Sequence, residues 1–275
     1  MNQPRFGAIV AGAAIVLGIS GCAFSPLAHR IKVGEEAFVV FVGEGRDRHT
    51  DLFAVPANGG AVSQVTFTAL IEMHPQLTPT GEMVVFLRMR DTLPGQRRDV
   101  VVVNLLSYGE TVIAIPDSAG RPDAVAWSDD ATTLYLRTDR GLWRTAAPPA
   151  PVAVIAVARG DSAAADSALE TWLGRPRFAR AVRCLTGGVC VIGPNGDTAA
   201  LAPAGRGAMR WGDDSVGWFQ DDGIVVRSLG PSQDRVVTLK DGPANPRDAS
   251  VAPLRLVRSR RDAPASRQSP RSPPN

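Results

Sequence analysis

The sequence predicts an all-β protein built as a β-propeller of about five to six blades. Three observations lead there. Short runs of Val, Ile, Phe, Leu and Trp alternate with turn clusters; helical periodicity is nearly absent from Val33 to Pro253; and one stretch of pattern recurs along the chain. The runs include Ala37–Val42, Leu52–Val55, Met83–Leu87, Val100–Asn104, Thr133–Arg137 and Ile224–Ser228. Asn58-Gly59-Gly60, Thr80-Gly81, Asp129-Asp130 and Asn195-Gly196-Asp197 punctuate them as turns, because these residue types accept left-handed backbone or bond locally to it.

The recurrence carries the architecture. His74 to Leu87 overlays Asp123 to Leu136, and a third copy runs from Ala208 to Trp218. Each copy reads strand, Trp or Leu, small residue, polar turn, strand. Leu77 and Trp127 lie 50 residues apart, and a degenerate copy around Arg180–Ile192 fills the longer gap from Trp127 to Trp211. Repeats of ~40–50 residues holding several strands each are propeller blades. A propeller must close, since an open blade exposes unpaired backbone. Ala249–Val257 is the segment expected to return to the strand Ala37–Val42. One stretch departs from the pattern: the Ala-rich Asp161–Leu173 reads as a short helix or a flexible insertion.

The N-terminus bears on the compartment. Arg5 precedes the apolar run Ala8–Ile19, which is too short to cross a bilayer comfortably and has the proportions of a signal-peptide core. Ile19-Ser20-Gly21-Cys22 resembles the lipobox of bacterial lipoproteins. That resemblance implies a diacylglycerol on the Cys22 thiol, cleavage before it and acylation of the freed amine, and several acyl chains anchor stably. Ala23 after the cysteine, in place of Asp, implies sorting to the periplasmic face of the outer membrane. The expected organisation is a lipoprotein signal peptide (1–21), a lipidated tether (22–32), the propeller (33–257) and a disordered Arg/Ser/Pro-rich tail (258–275).

A second resemblance concerns the repeat. Asp51 to Gly60, then Val65-Thr66-Phe67-Thr68, then His74 to Gly81 resemble the repeat of TolB-like (PD40-type) propellers. Leu77 stands where that family usually has Trp, and Thr80 where it has Asp. The resemblance implies a propeller that docks partner segments at one mouth, but fold does not fix the ligand.

Charge narrows the partner classes. The formal net charge is +3. From Leu254 onward Arg255, Arg258, Arg260, Arg261, Arg267 and Arg271 face only Asp262, a local +5; with Arg5 also set aside, the middle of the chain is near −3. The basicity belongs to a tail, which argues against a nucleic-acid binder. The tail reads as a solvated end in preference to a contact for anionic lipid or lipopolysaccharide.

Chemistry-bearing patterns are sparse. There is no Gly-x-Ser-x-Gly elbow, and the three histidines (His29, His49, His74) all lie early in the chain. The pairs Asp129-Asp130, Asp213-Asp214 and Asp221-Asp222 read as turn carboxylates, without the spacing of a calcium loop. Trp127 and Trp211 read as packing between blades, whereas Trp172 lies outside the repeat. Cys184 and Cys190 flank a hairpin tip and are open to two readings, a disulfide in an oxidising compartment or two buried thiols; the pair is too sparse for a metal site. No metal, cofactor or catalytic residue is expected. The sequence thus points to an envelope lipoprotein, held to the membrane by lipid on Cys22, whose propeller binds a protein or peptide. The alternative is a sensor for a small ligand or glycan in the channel, with an enzyme third.

Overall fold

The computed structural model describes residues 27–252 apart from 28–29, 46–48, 90–95, 151–152, 159–161, 164, 166–168, 170–179, 184–187, 193–197, 213–214, 222 and 229–233. The signal segment 1–21, Cys22, His29, Trp172, Cys184, Asp213-Asp214 and the tail 258–275 lie outside the described residues.

Strand β1 (Phe38–Glu44) shows how the sequence builds a blade. Its residues from Phe38 to Gly43 are buried, which explains an almost unbroken apolar run where a one-faced strand would alternate with polar residues. Period two still operates, because the two faces serve two different cores. Phe38, Val40 and Val42 enter one cluster, and Val39 and Phe41 the next. Strand β2 (Thr50–Pro56) divides likewise, with Leu52 and Ala54 on one side and Phe53 and Val55 on the other.

Four hydrogen-bonded sheets make five blades among the described residues, the largest sheet spanning blades 1 and 2. Blade 1 holds β20 (Ala244–Ala252), β1, β2 and β4 (Ser63–Gln64). Blade 2 runs through β5 (Ile71–Leu77), β6 (Met83–Met89), β7 (Asp99–Asn104) and β8 (Glu110–Ile113), touching blade 1 at a single bridge, Thr50 to Ile71. Blade 3 comprises β9 (Pro122–Trp127), β10 (Thr133–Thr138), β11 (Gly141–Ala146) and β12 (Ile155–Ala156). Three strands, β13 (Arg180–Arg183), β14 (Val189–Ile192) and β15 (Thr198–Ala202), make blade 4. Blade 5 holds β16 (Arg206–Trp211), β17 (Ser215–Gln220), β18 (Gly223–Ser228) and β19 (Asp234–Lys240). The degenerate repeat around Arg180–Ile192 is the start of blade 4.

Cores between neighbouring blades set their order. Val189 and Ala202 of blade 4 pack with Val216 and Trp218 of blade 5. Blade 5 in turn offers Met209, Trp211, Phe219 and Ile224 to blade 1, where Phe41 and Phe219 rings lie 5.4 Å apart. Val84, Phe86, Val101 and Val103 of blade 2 meet the other face of blade 1, and Val85, Leu87, Val100 and Val102 meet Val125, Trp127, Leu134 and Leu136 of blade 3. On the far face of blade 3, Ala124 and Ala126 are covered by Leu169. Residues 162, 163, 165 and 169 are helical, so at these positions the Ala-rich stretch takes the helix of its two readings.

Closure uses the expected first strand, but the closing strand β20 begins five residues before the expected Ala249–Val257, whose residues 253–257 lie outside the described residues. β20 pairs antiparallel with β1, Phe38 opposite Ala252, Val39 opposite Val251, Val40 opposite Ser250 and Phe41 opposite Ala249. A second tie joins the same two blades, Gly60 and Ala61 (β3) running parallel to Leu239 and Lys240 of β19. The repeat also recurs as hydrogen bonding. In blade 2, Thr78 N–H donates to Met83 O (2.9 Å) and Gly81 N–H to Thr78 O (2.8 Å); in blade 3, Ser128 N–H donates to Thr133 O (2.9 Å) and Ala131 N–H to Ser128 O (2.9 Å). Ala131 takes φ +58 where Gly81 takes +80.

One difference concerns the tether. Leu27 and Ile31, inside the segment 22–32, are fully buried in the core between blades 1 and 2. An apolar side chain at each of these positions gains more from that core than from water.

Candidate functional site

The innermost strands β16, β20, β5 and β9 stand side by side around the centre of the ring, in the order of their blades. Each carries a register break, and in three of them a residue at the break takes left-handed backbone. The β5 register breaks between Met73 and Gln76, where His74 adopts φ +55. On β20 it breaks between the partners of Phe41 and Val42, where Asp248 adopts φ +42, and again near Asn245 at +49. On β16 the break lies between Arg206 and Met209, with Gly207 at +59. Left-handed backbone costs a residue with a Cβ about 1–2 kcal/mol, and such bulges re-aim side chains out of the ladder.

The bulges converge. His74 Nδ1 lies 3.0 Å from Asp248 Oδ2 across the β5–β20 seam, with side chains 27% and 30% exposed. Burial pushes the Asp248 carboxyl up, but hydrogen bonding to His74 and the positive charge of His74 and Arg247 outweigh it, leaving the group below the usual carboxylate range. A Cβ on Gly207 would lie 3.2 Å from the Asp248 amide and 3.2 Å from the Phe219 ring, so the β16 bulge abuts the β20 bulge. Nearer the mouth, Asn245 Nδ2 donates to Glu44 Oε1 at 2.9 Å, and Arg206 and Arg247 are exposed. The partly exposed His74–Asp248 pair thus sits where three bulged innermost strands meet, and two of those strands also carry the exposed Arg206 and Arg247. Such a wall can hydrogen-bond an extended segment.

A second polar group lies deeper, in the wedge between blades 1 and 2. Glu72 on β5 is fully buried. Thr66 Oγ donates to its Oε2 at 2.5 Å and Thr68 Oγ to Oε1 at 3.2 Å, while Arg88 Nε reaches Oε1 at 3.1 Å. Arg88 then forks onto both oxygens of Glu110, at 2.8 and 3.1 Å. Thr66 Oγ also accepts from Leu52 N–H at 2.8 Å, and Thr50 Oγ bonds both backbone groups of Glu72. Asp51 belongs to the same cluster, accepting from Gln64 and from Thr68 N–H at 3.0 Å each. Burial raises the Glu72 carboxyl to about 7, against the opposing pull of Thr66 and Arg88.

Of the residues singled out by sequence, His74 stands at the channel, and Trp127 and Trp211 are buried in the cores between blades, Trp127 Nε1 donating to Gln76 O of the preceding blade at 3.0 Å. Asp130 accepts from Ser128 Oγ at 2.6 Å and from Thr132 N–H at 3.0 Å, a local turn role. Cys190 is disulfide-bonded and stands in register with Val182; Cys184 lies outside the described residues. Asp248, Glu72, Arg88 and Glu110 were not singled out. The available signal was Val65-Thr66-Phe67-Thr68, whose two hydroxyls both serve Glu72.

Among solved structures the chain is similar to TolB from Acinetobacter baumannii, at 9% identity and a TM-score of 0.40, over 78% of this chain and 66% of that one. It is similar to a TolB candidate from Agrobacterium tumefaciens at 13% identity and 0.35, over 73% and 63%. A third likeness is to a 6-phosphogluconolactonase candidate from Bacteroides uniformis, at 10% identity and 0.34, over 74% and 82%. The chain spans less than two thirds of the length of either TolB structure. No family model matches the chain, and no curated protein matches it. The fold is a β-propeller. That statement rests on the chain's own blades and register, and no activity or partner follows from these likenesses.

Proposed function

We propose that this protein is a lipid-anchored envelope propeller that binds a protein or peptide segment at its channel, without catalysis. The observation that carries the reading is the meeting of three bulged innermost strands around His74 and Asp248. Bulged innermost strands that present polar and charged side chains suit an extended chain, which supplies donors and acceptors along its length. Arg206, Arg247 and the His74–Asp248 pair would then select among such segments. The absence of an elbow motif from the sequence agrees with a binding role.

Photo-crosslinking in the native host tests this. A crosslinker placed at Arg247 is expected to capture a discrete protein or peptide, and His74→Ala is expected to reduce that capture several-fold. A chain that captures no polypeptide but is stabilised against heat by a glycan would replace this reading with the small-ligand one. Lipidation has its own check, intact mass and fractionation of the wild type against Cys22→Ala. A soluble, unlipidated wild type would remove the anchor from the proposal.

A further inference from the structure

Arg206 opens β16 and Arg247 lies on β20, and both are exposed. Among the described residues no hydrogen bond or ion pair occupies either guanidinium. Arginines with a structural task in this fold are tied. Arg97 Nη2 donates to Ile115 O at 2.8 Å, Arg140 Nη1 to Asp117 O at 2.8 Å, and Arg137 Nε meets Asp123 Oδ1 at 2.9 Å. Arg227 forks onto both oxygens of Asp234. Such contacts fasten one segment to another; the Arg206 and Arg247 guanidiniums fasten nothing.

The fold nevertheless brings these two side by side. A Cβ on Gly207 would stand 3.5 Å from Arg247 Cα and 3.2 Å from the Asp248 amide nitrogen. Gly207 follows Arg206 directly, so the Arg206 and Arg247 Cα atoms are at most about 9 Å apart. The approach depends on the β16 bulge, where Gly207 takes φ +59 and has no side chain to hold the strands apart. Like charges on neighbouring strands repel and lower stability. The nearby carboxylates are already engaged, Asp248 by His74 at 3.0 Å and Glu44 by Asn245 at 2.9 Å. Two guanidiniums at this spacing can take one carboxylate between them, with N–H donors enough for both of its oxygens.

We infer that the segment bound where the bulged strands meet carries an acidic side chain, and that Arg206 and Arg247 receive its carboxylate together. The inference rests on the segment-binding reading and adds the chemistry of the partner. In an extended chain every second side chain points to the same face, so an Asp or Glu at one position can meet the pair without changing the course of the segment. A planar guanidinium suits the task, because it binds a carboxylate through two parallel bonds. A neutral segment leaves the repulsion between the arginines in place, and a basic one adds to it, so the pair rejects as well as selects.

The test uses the full-length chain and two labelled synthetic peptides, one alternating Glu with Ser and one alternating Gln with Ser, followed by fluorescence anisotropy. The wild type is expected to bind the Glu peptide at least ~10-fold more tightly than the Gln peptide, with a preference that shrinks as salt is added. Arg206→Ser combined with Arg247→Ser is expected to abolish the preference. Without peptide, the doubly substituted chain is expected to unfold at a temperature no lower than the wild type, since it loses two unpaired like charges; a clear drop assigns the arginines to the fold and overturns the proposal. Equal affinity for the two peptides, or binding of neither, overturns it too. Free glutamate that competes as well as the Glu peptide, mole for mole, makes this a small-anion site and overturns the segment as its occupant. Crosslinking from Asn245 in the native host separates the two readings. Capture of a polypeptide there, with no preference for Glu over Gln, sinks the acidic partner and leaves segment binding standing; no capture at all sinks both.

Discussion

Glu72 is a carboxyl buried between two blades with one guanidinium shared between it and Glu110. Around it face Arg88 from β6, Glu110 from β8, and Asp51 with Thr50 and Thr66 from the blade 1 side. Its folded-state value, about 7, lies above the ordinary 4.5, so folding takes up a proton between those values. The contribution favours the folded state at low pH and is lost as pH rises through about 7. The stability of the wild type relative to Glu72→Gln is therefore expected to fall by on the order of 3 kcal/mol between pH 5 and 8 in urea unfolding; a flat or rising difference would remove the raised carboxyl from the account. Asp248 has the opposite sign. Its value is depressed, so its contribution is present above the ordinary carboxylate range and lost as pH falls through the depressed value. Asp248→Asn is expected to cost up to about 1 kcal/mol at neutral pH and little in strong acid, a convergence that acid titration of the two proteins would show.

At the scale of the element, the innermost strands are both scaffold and site. Gly207 combines φ +59 with the nearby Asp248 amide and Phe219 ring. Gly207→Ala is expected to cost about 1–2 kcal/mol, read by thermal unfolding, and to disturb partner capture with it. Gly43 on β1 has a different reason for lacking a side chain, because a Cβ there would overlap the Pro243 ring at the entry to β20. The Leu77 and Trp127 positions illustrate how far a repeat tolerates change. Both residues fill a buried place at the end of an innermost strand, but only Trp127 can also bond the preceding blade. The repeat survives in its turn hydrogen bonds, which use backbone groups and a Thr or Ser hydroxyl and leave the other side chains free to vary.

The whole molecule depends on closure. β20 completes blade 1 from the far end of the sequence, and β3 adds a tie to blade 5. Ending the chain at Pro243 exposes β1 and strips the channel of Asp248; it is expected to abolish cooperative unfolding by circular dichroism. The N-terminal segment contributes to the same core. Leu27→Ala is expected to lower stability by about 2–4 kcal/mol, because a fully buried leucine leaves a cavity on truncation. A change of a few tenths would mean that the segment is held by little more than its connection.

Much of this was legible in the chain itself, for local reasons. The apolar run Ala37–Val42, the turn chemistry at Thr78–Gly81 and Ser128–Ala131, and the recurrence of one pattern depend on near neighbours and on residue type, so they appear in the sequence as spacing. The closing segment was legible too, because a propeller has a fixed requirement for a partner to its first strand. His74 with Asp248, and Thr66 with Glu72, Arg88 and Glu110, could not be read that way. Each pairing is set by how one blade seats against the next, and bulges decide which side chains leave the ladder. Burial of Leu27 and Ile31 belongs with them. The sequence by itself determined the blades and their closure, because those follow from local pattern and backbone pairing. Only the tertiary structure decided which polar groups meet at the innermost strands and which carboxyl is buried, because these depend on contacts between residues far apart in the chain.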